Sequence, residues 1–204
     1  MLNLPLAPRF WLGPLIILTI SALLYGFEPA SSQWLAYDRI AMQTGEWWRL
    51  LTGNFLHTNG YHLLLNAAGL LLLWGLHGDY YRPLPFILLL MACALGATIG
   101  LYWWTPQMSW YVGLSGALHG LFAWGALMDI RHGLKSGYIL ILGIWLKIGY
   151  ETWVGPSQDV ESLIGATVAT DAHLFGALTG TVLGLMWILR WCFEKGERHG
   201  KEAA

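Results

Sequence analysis

The sequence predicts an all-α polytopic membrane protein, a bundle of six transmembrane helices in which a short fourth helix lies below an outward-facing aqueous cavity. Three observations predict this class. Of the 204 residues, 56% are hydrophobic and only 11% are charged, whereas a soluble domain carries about 25% charged residues. A soluble chain of this size must cover its surface with polar groups, and this chain has too few of them. Finally, six apolar segments are long enough, or nearly long enough, to cross a bilayer.

The predicted spans are apolar runs rich in Leu, Ala and Gly, and we expect residues 1–204 to form one membrane domain. A span needs about 20 apolar residues. The six segments cover residues 10–27, 61–78, 84–104, 114–128, 138–153 and 169–193. The first segment also fits a signal peptide, with Arg9 before it and Ala30-Ser31-Ser32 after it. Its removal would leave a bundle of five helices.

Positive charge orients the predicted bundle. If the N-terminus is cytoplasmic, eight Lys or Arg residues face the cytoplasm and two face the other side. Such an excess is the positive-inside signal, and it predicts that both termini are cytoplasmic. The eight are Arg9, Arg82, Arg131, Lys135, Arg190, Lys195, Arg198 and Lys201, and the two are Arg39 and Arg49.

Composition also excludes several classes of function. The net charge of −1 gives no basic surface for nucleic acid. The two cysteines, Cys93 and Cys192, both lie in apolar runs, which excludes a disulfide framework. A soluble enzyme and a disordered chain are excluded by the apolar content.

The fourth segment is too short to cross a membrane alone. Its residues 114–128 reach roughly 22 Å along a helix, against a hydrocarbon core of about 30 Å. The irregular loop before it must therefore dip below the outer surface, where only protein or a water-filled cavity can satisfy its backbone. This predicts a cavity with the start of the fourth helix at its floor.

Ser115 lies at that floor, within Gly113-Leu-Ser-Gly116. A helix N-terminus presents free N–H groups and favours negative charge, as an acyl-enzyme nucleophile requires. The serine also fits an ordinary packing face of small residues, together with Gly116 and Gly120.

Polar residues in the outer halves of three spans favour the functional interpretation, because ionisable residues inside a bilayer are rare and usually functional. His62 and Asn66 lie four residues apart and share one helix face. His119 follows the serine by four residues, His173 opens the sixth span, and His57 lies just before the second. Packing alone does not explain three helices bringing such side chains to one depth.

This set of motifs resembles the rhomboid family of intramembrane serine proteases. The resemblance covers the whole predicted six-helix core, and it implies that Ser115 is the nucleophile and His173 its general base. It also implies an oxyanion hole formed by His62, Asn66 and the Ser115 backbone N–H, with a structural role for Arg49. The motifs are Trp48-Arg49, His57-x4-His62-x3-Asn66, Gly113-Leu-Ser115-Gly116 and Ala172-His173-x2-Gly176.

One position departs from the family pattern, since many rhomboids have Tyr where this chain has His119. The string Gly-Leu-Ser-Gly-x-Leu-His-Gly resembles the rhombosortase subgroup. That resemblance implies a bacterial inner-membrane enzyme whose site faces the periplasm. Its partners would be the lipid bilayer and exported proteins that end in a Gly-Gly-bearing transmembrane tail. His119 could stack on His173, as the Tyr does, which we favour, or compete with it as the base.

The residues favour a Ser–His dyad over a triad. Asp171 lies two residues from His173 and so cannot face it on a helix; we expect it, or Thr170, to cap the sixth helix. Glu151 follows Lys147 by four residues, and the two are expected to pair. A third member from a loop stays open.

Two other classes of function stay open. Histidines near or inside the membrane could ligate haem or zinc, although no His-Glu-x-x-His string occurs. We expect no metal and no cofactor, because the serine makes a metal unnecessary. The other class is a catalytically inactive rhomboid-like protein that binds transmembrane segments. Such a protein should lack the serine or the histidine, and both are present.

Overall fold

The computed structural model describes residues 4–202, with side chains described as far as residue 195. Helices dominate this part of the chain. Its first half contains α1 (Pro8–Gly26), α2 (Ala30–Leu35), β1 (Tyr37–Asp38), α3 (Arg39–Gln43), α4 (Arg49–Thr52) and α5 (Gly60–His77), with 3-10 turns at Gly53–Phe55 and Gly78–Tyr80. Its second half contains α6 (Pro83–Trp104), β2 (Trp110–Tyr111), α7 (Ser115–Arg131), α8 (Ser136–Val154), α9 (Gln158–Ile164) and α10 (Thr170–Glu202).

Within residues 4–202, six helices have 17 or more residues, and they coincide with the six predicted segments. Three meet the length and hydropathy of a membrane span: Pro8–Gly26, Pro83–Trp104 and the part Thr170–Lys195 of α10. Of the other three, α5 carries His62 and Asn66, α7 carries Ser115 and His119, and α8 carries Lys147 and Glu151. The all-α polytopic membrane class is confirmed, while the crossing of the membrane by all six helices stays a prediction.

Two helix ends differ from the prediction. Helix α7 has 17 residues and ends at Arg131 instead of residue 128. Asp129 continues its last turn because the carboxylate is buried and accepts a hydrogen bond of 2.9 Å from the Tyr80 hydroxyl. Helix α10 continues past residue 193 to Glu202, through a charged segment whose Glu, Lys and Arg residues favour a helix although two glycines interrupt them. The side chains of Arg198 and Lys201, used above for orientation, lie outside the described ones.

Helix α7 lies at the centre of the bundle and is buried along most of its length. Its glycines allow α10 to approach closely. A Cβ on Gly176 would collide with the carbonyl of Gly116, and a Cβ on Gly180 with the carbonyl of Gly120. Small residues at spacing four are the usual basis of such close helix pairs in membranes. This backbone contact fixes the distance between the elements that carry Ser115 and His173.

The loop between α1 and α5 is held to the rest of the bundle by Arg39. Its guanidinium donates to the carbonyls of Leu101, Tyr102 and Thr105 at 2.9–3.0 Å, and so caps the C-terminus of α6. Next to it, β1 pairs antiparallel with β2, with Tyr37 opposite Tyr111. These contacts fix the loop that leads into α7.

Arg49 organises the inside of the same loop. It is buried, donates to Glu46 Oε2 at 2.7 Å, and donates to the carbonyls of Ala36 and Gln33 at 2.9 Å. A buried charge needs such a complete set of partners. The contacts are those of a structural residue.

Candidate active site

A cavity of about 690 Å³ opens above the N-terminus of α7. The walls come from α5, the segment 108–112, α7, α8, the segment 160–169 and the start of α10. Most of its lining is apolar, and the polar side chains among its lining residues include five of those predicted for the site. These are His62, Asn66, Ser115, His119 and His173.

Ser115 and His173 form the central contact of the site. Ser115 is the first residue of α7, and His173 lies in the first turn of α10. The distance from Ser115 Oγ to His173 Nε2 is 3.0 Å, within the range for a hydrogen bond. Gly116 makes this possible, because a Cβ there would lie 3.0 Å from the carbonyl oxygen of Ala172. A nucleophile and a base at this distance are the requirement for acyl transfer.

Glu151 also belongs to this cluster, and its contact with His173 was not predicted from the sequence. Its Oε2 lies 3.0 Å from His173 Nδ1, and its Oε1 lies 2.6 Å from Lys147 Nζ. The expected pair with Lys147 is therefore present, but it occupies only one carboxylate oxygen. The other oxygen contacts the imidazole, so the structure brings a third side chain to the predicted dyad, from a helix and not from a loop.

His119 stacks on His173, with ring centroids 4.0 Å apart and an angle of 14° between the planes. Its Nδ1 lies 2.7 Å from the Ser115 carbonyl oxygen, and its Nε2 lies 3.0 Å from Lys147 Nζ. Both ring nitrogens thus have partners other than the serine hydroxyl. The geometry favours His173 over His119 as the base.

The segment before the serine is held in a conformation that requires glycine. Gly113 has φ of +129°, a conformation that disfavours other residues, and a Cβ there would lie 2.8 Å from the His62 ring. The Tyr111 hydroxyl donates to the Gly113 carbonyl at 2.6 Å, and the Gly113 N–H donates to Gly53 at 3.2 Å. The first N–H groups of α7 have no carbonyl partner inside the helix, and groups of this kind favour an anion.

His62 and Asn66 lie on the opposite wall. His62 Nδ1 lies 3.1 Å from the Thr58 hydroxyl, which itself donates to the Ile164 carbonyl at 2.6 Å, and 3.4 Å from the Thr58 backbone nitrogen. The Asn66 amide uses one N–H to donate to the His62 carbonyl at 3.1 Å, and keeps a second N–H. The second N–H of Asn66 is thus available for a ligand in the cavity.

His57 and Asp171 have supporting positions. His57 is buried behind His62, with ring centroids 5.0 Å apart, and burial, together with the nearby His62, lowers its pKa to about 3. It is therefore neutral at pH 7 and is not among the residues that line the cavity. Asp171 accepts a hydrogen bond of 3.0 Å from the Thr105 hydroxyl, which joins the end of α6 to α10.

Three side chains of the site lie close enough together to be considered as metal ligands. His119, Glu151 and His173 each offer an atom within 4.8 Å of the others, whereas His62 is not a member of this group. The Lys147 ammonium contacts two of the three, His119 and Glu151. A cation already fills this position, so the donor set does not fit a divalent metal.

Comparison with known proteins agrees with this geometry. The rhomboid domain family model matches residues 44–190, well over half of the chain. The rhomboid protease homologue YdcA of Bacillus subtilis (strain 168) is 29% identical over 189 residues, covering 89% of each chain. The rhomboid protease GlpG of Salmonella newport (strain SL254) is 27% identical over 159 residues, covering 75% of this chain and 53% of GlpG. The chain therefore belongs to the rhomboid family of intramembrane serine proteases.

Proposed function

We propose that this protein is a serine endopeptidase in which Ser115 attacks a peptide carbonyl and His173 is the general base. The observation that carries the proposal is the 3.0 Å contact between Ser115 Oγ and His173 Nε2 at the floor of a cavity. An inactive member of the family would have no need to keep both groups in this contact.

The reaction follows from the positions of these groups. His173 Nε2 takes the serine proton as Oγ bonds to the carbonyl carbon, and returns it to the leaving amine as the C–N bond breaks. The oxyanion is stabilised by Asn66, His62 and the Ser115 N–H. Water then enters from the cavity and hydrolyses the acyl-enzyme.

The proposed substrate is the C-terminal transmembrane tail of an exported protein, with Gly-Gly near the cleavage point. A regular helix hides its carbonyls in i→i−4 hydrogen bonds, so a helix-breaking pair is needed to present one to the serine. The cavity between α5 and α8 is lined mainly by apolar residues, which suits sideways entry of such a tail from the bilayer. This specificity is that of a rhombosortase.

The proposed setting is a bacterial inner membrane, with cleavage near its periplasmic face. In this proposal residues 1–204 form one domain with six spans, and both termini are cytoplasmic. The distribution of Lys and Arg along the chain supports this orientation.

A cleavage assay tests the proposal. The purified protein is reconstituted in liposomes with a single-span substrate bearing a Gly-Gly tail, and the products are identified by mass spectrometry. We expect a single cut near the Gly-Gly pair, and loss of cleavage when the pair is replaced by Leu-Leu. Equal cleavage of both substrates would refute the Gly-Gly specificity, and binding without cleavage at long incubation would favour an inactive binding protein.

We expect Asn66→Ala to lower kcat by about 10²- to 10³-fold, because removal of one oxyanion donor has that effect in serine proteases. KM should change little, because the donor acts mainly in the transition state. Steady-state kinetics on the tail substrate measure both values. Asn54→Ala is the control, since Asn54 is buried in the loop between α1 and α5 and bonds only to Leu50 and Leu51 carbonyls. A KM effect with unchanged kcat would remove Asn66 from the oxyanion hole.

We expect His119→Phe to retain more activity than His119→Ala, because phenylalanine keeps the stacking surface against His173 and loses only the hydrogen bonds. The loss for the alanine variant should be about tenfold, since the base itself remains. Initial cleavage rates at saturating substrate give the comparison. Equal and complete loss in both variants would show that the His119 nitrogens are required.

A further inference from the structure

Glu151 connects two functional groups that lie on different helices. It belongs to α8, and its carboxylate contacts His173 of α10 through one oxygen and Lys147 of α8 through the other. Its side chain is 16% exposed and that of His173 is 6% exposed, so the contact between them is largely shielded from solvent. A simple surface ion pair between Glu151 and Lys147 would not require the second carboxylate oxygen to contact the His173 imidazole.

The hydrogen bonds around Glu151 determine where the protons lie. An ammonium group only donates, so His119 Nε2 accepts from Lys147, and the His119 proton lies on Nδ1 and is donated to the Ser115 carbonyl. An ionised carboxylate only accepts, so His173 carries its proton on Nδ1. His173 Nε2 then has a free lone pair directed at the serine hydroxyl. The network selects the one tautomer of His173 that can act as a base.

We propose that Glu151 is the third member of the site, a positioning residue that makes a Ser115–His173–Glu151 triad, with Lys147 holding the carboxylate in place. This inference rests on the proposed protease function and deepens it. When the serine proton moves to His173 Nε2, the ring becomes an imidazolium whose Nδ1–H donates to the carboxylate. Glu151 takes no proton at any step; it orients the ring and stabilises its positive charge.

The expected effect is smaller than in soluble triads. Loss of the carboxylate there lowers kcat by about 10⁴-fold. Here Lys147 already neutralises part of the negative charge, and stacking on His119 also orients the ring. We expect Glu151→Gln to lower kcat about 10²-fold, with KM changed less than about twofold.

A double-mutant cycle tests the proposal, using wild type, Glu151→Gln, Lys147→Met and the double variant. The readouts are kcat and KM on the tail substrate and the rate of labelling by a fluorophosphonate probe. We expect Lys147→Met to lose about tenfold or less, and Glu151→Gln to lower kcat strongly in both backgrounds. Asp159→Asn, which removes an exposed carboxylate on α9, is the matched control and should behave as wild type.

Several outcomes would overturn the proposal. If the double variant is as active as Lys147→Met alone, Glu151 is only the partner of the lysine. If Glu151→Gln has wild-type kcat, the dyad is sufficient. Should Glu151→Gln fail to fold, Glu151→Asp keeps the charge on a shorter side chain and should show an intermediate loss of kcat. A wild-type protein that neither cleaves nor labels would refute the proposed function itself, whereas an active wild type confines the failure to the triad.

Discussion

Replacing Ser115 or His173 by alanine is expected to lower kcat by about 10⁴- to 10⁶-fold and to abolish labelling by a fluorophosphonate probe. The serine variant lacks the atom that forms the acyl bond. The histidine variant leaves the hydroxyl protonated, because the ring at 3.0 Å is the group that can take its proton. Gel fluorescence of the labelled protein in detergent, together with cleavage of the tail substrate, measures both losses.

The double variant Ser115→Ala/His173→Ala should be no slower than either single variant, because residues that act as one unit do not contribute additively. His119→Ala is the control and should label measurably. Labelling lost in the Ser115 and His119 variants but kept in His173→Ala would move the base to α7. Size-exclusion profiles and melting temperatures equal to wild type must accompany each loss, so that unfolding is excluded.

The long helices of this protein were predictable because each is a nearly continuous apolar run. The ends of these helices were less predictable. Asp129 would end an apolar run, yet its carboxylate is bound to Tyr80 and the helix continues to Arg131. A hydropathy pattern records the cost of placing a charge in lipid, and a buried partner removes part of that cost.

The candidate site was predictable to the extent that its residues lie near one another along the chain or match family motifs. His62 with Asn66 and Ser115 with His119 are neighbours on single helices. The contact of Glu151 with His173 joins two helices through residues that lie 22 positions apart in the sequence. Helical periodicity indicates which residues share a face, but it does not say which face of α8 meets α10, so only the lysine partner of Glu151 could be predicted.

The contacts of the loop between α1 and α5 could not be predicted from the sequence, for a similar reason. Arg39 caps α6 across 62 to 66 residues, and β1 pairs with β2 across a whole helix hairpin. Each strand is two residues long, too short to show an alternating pattern. Such contacts depend on the position of whole helices, which the local sequence does not specify.

Gly180→Ala is expected to destabilise the protein by about 3 kcal/mol or more, the upper end of the range for overpacking. A Cβ at this position would collide with the backbone carbonyl group of Gly120. The contact between α7 and α10 is therefore backbone against backbone. A flexible side chain could rotate away from such a collision. Two helix backbones cannot, so the helices must move apart. Thermal unfolding in one detergent, followed by circular dichroism, measures the loss.

Gly149→Ala on α8 is the matched control, because nothing lies within 4 Å of the position that its Cβ would occupy. Alanine favours a helix over glycine by up to about 1 kcal/mol, so this variant should be as stable as wild type or more stable. A Gly180→Ala protein that unfolds at the wild-type temperature would mean that α7 and α10 are further apart than the structure places them.

The same substitution should also lower activity well below the unfolding temperature. Gly180 lies seven residues from His173, two turns along one face of α10. The displacement that relieves its collision with α7 therefore increases the separation at Gly116 and Ala172, where the distance from Ser115 Oγ to His173 Nε2 is set. A proton transfer that depends on a 3.0 Å contact is sensitive to a shift of about 1 Å, which can cost about 10²-fold in rate. We expect kcat to fall while the protein is still folded, and an unchanged kcat in a destabilised variant would separate the helix contact from the chemistry.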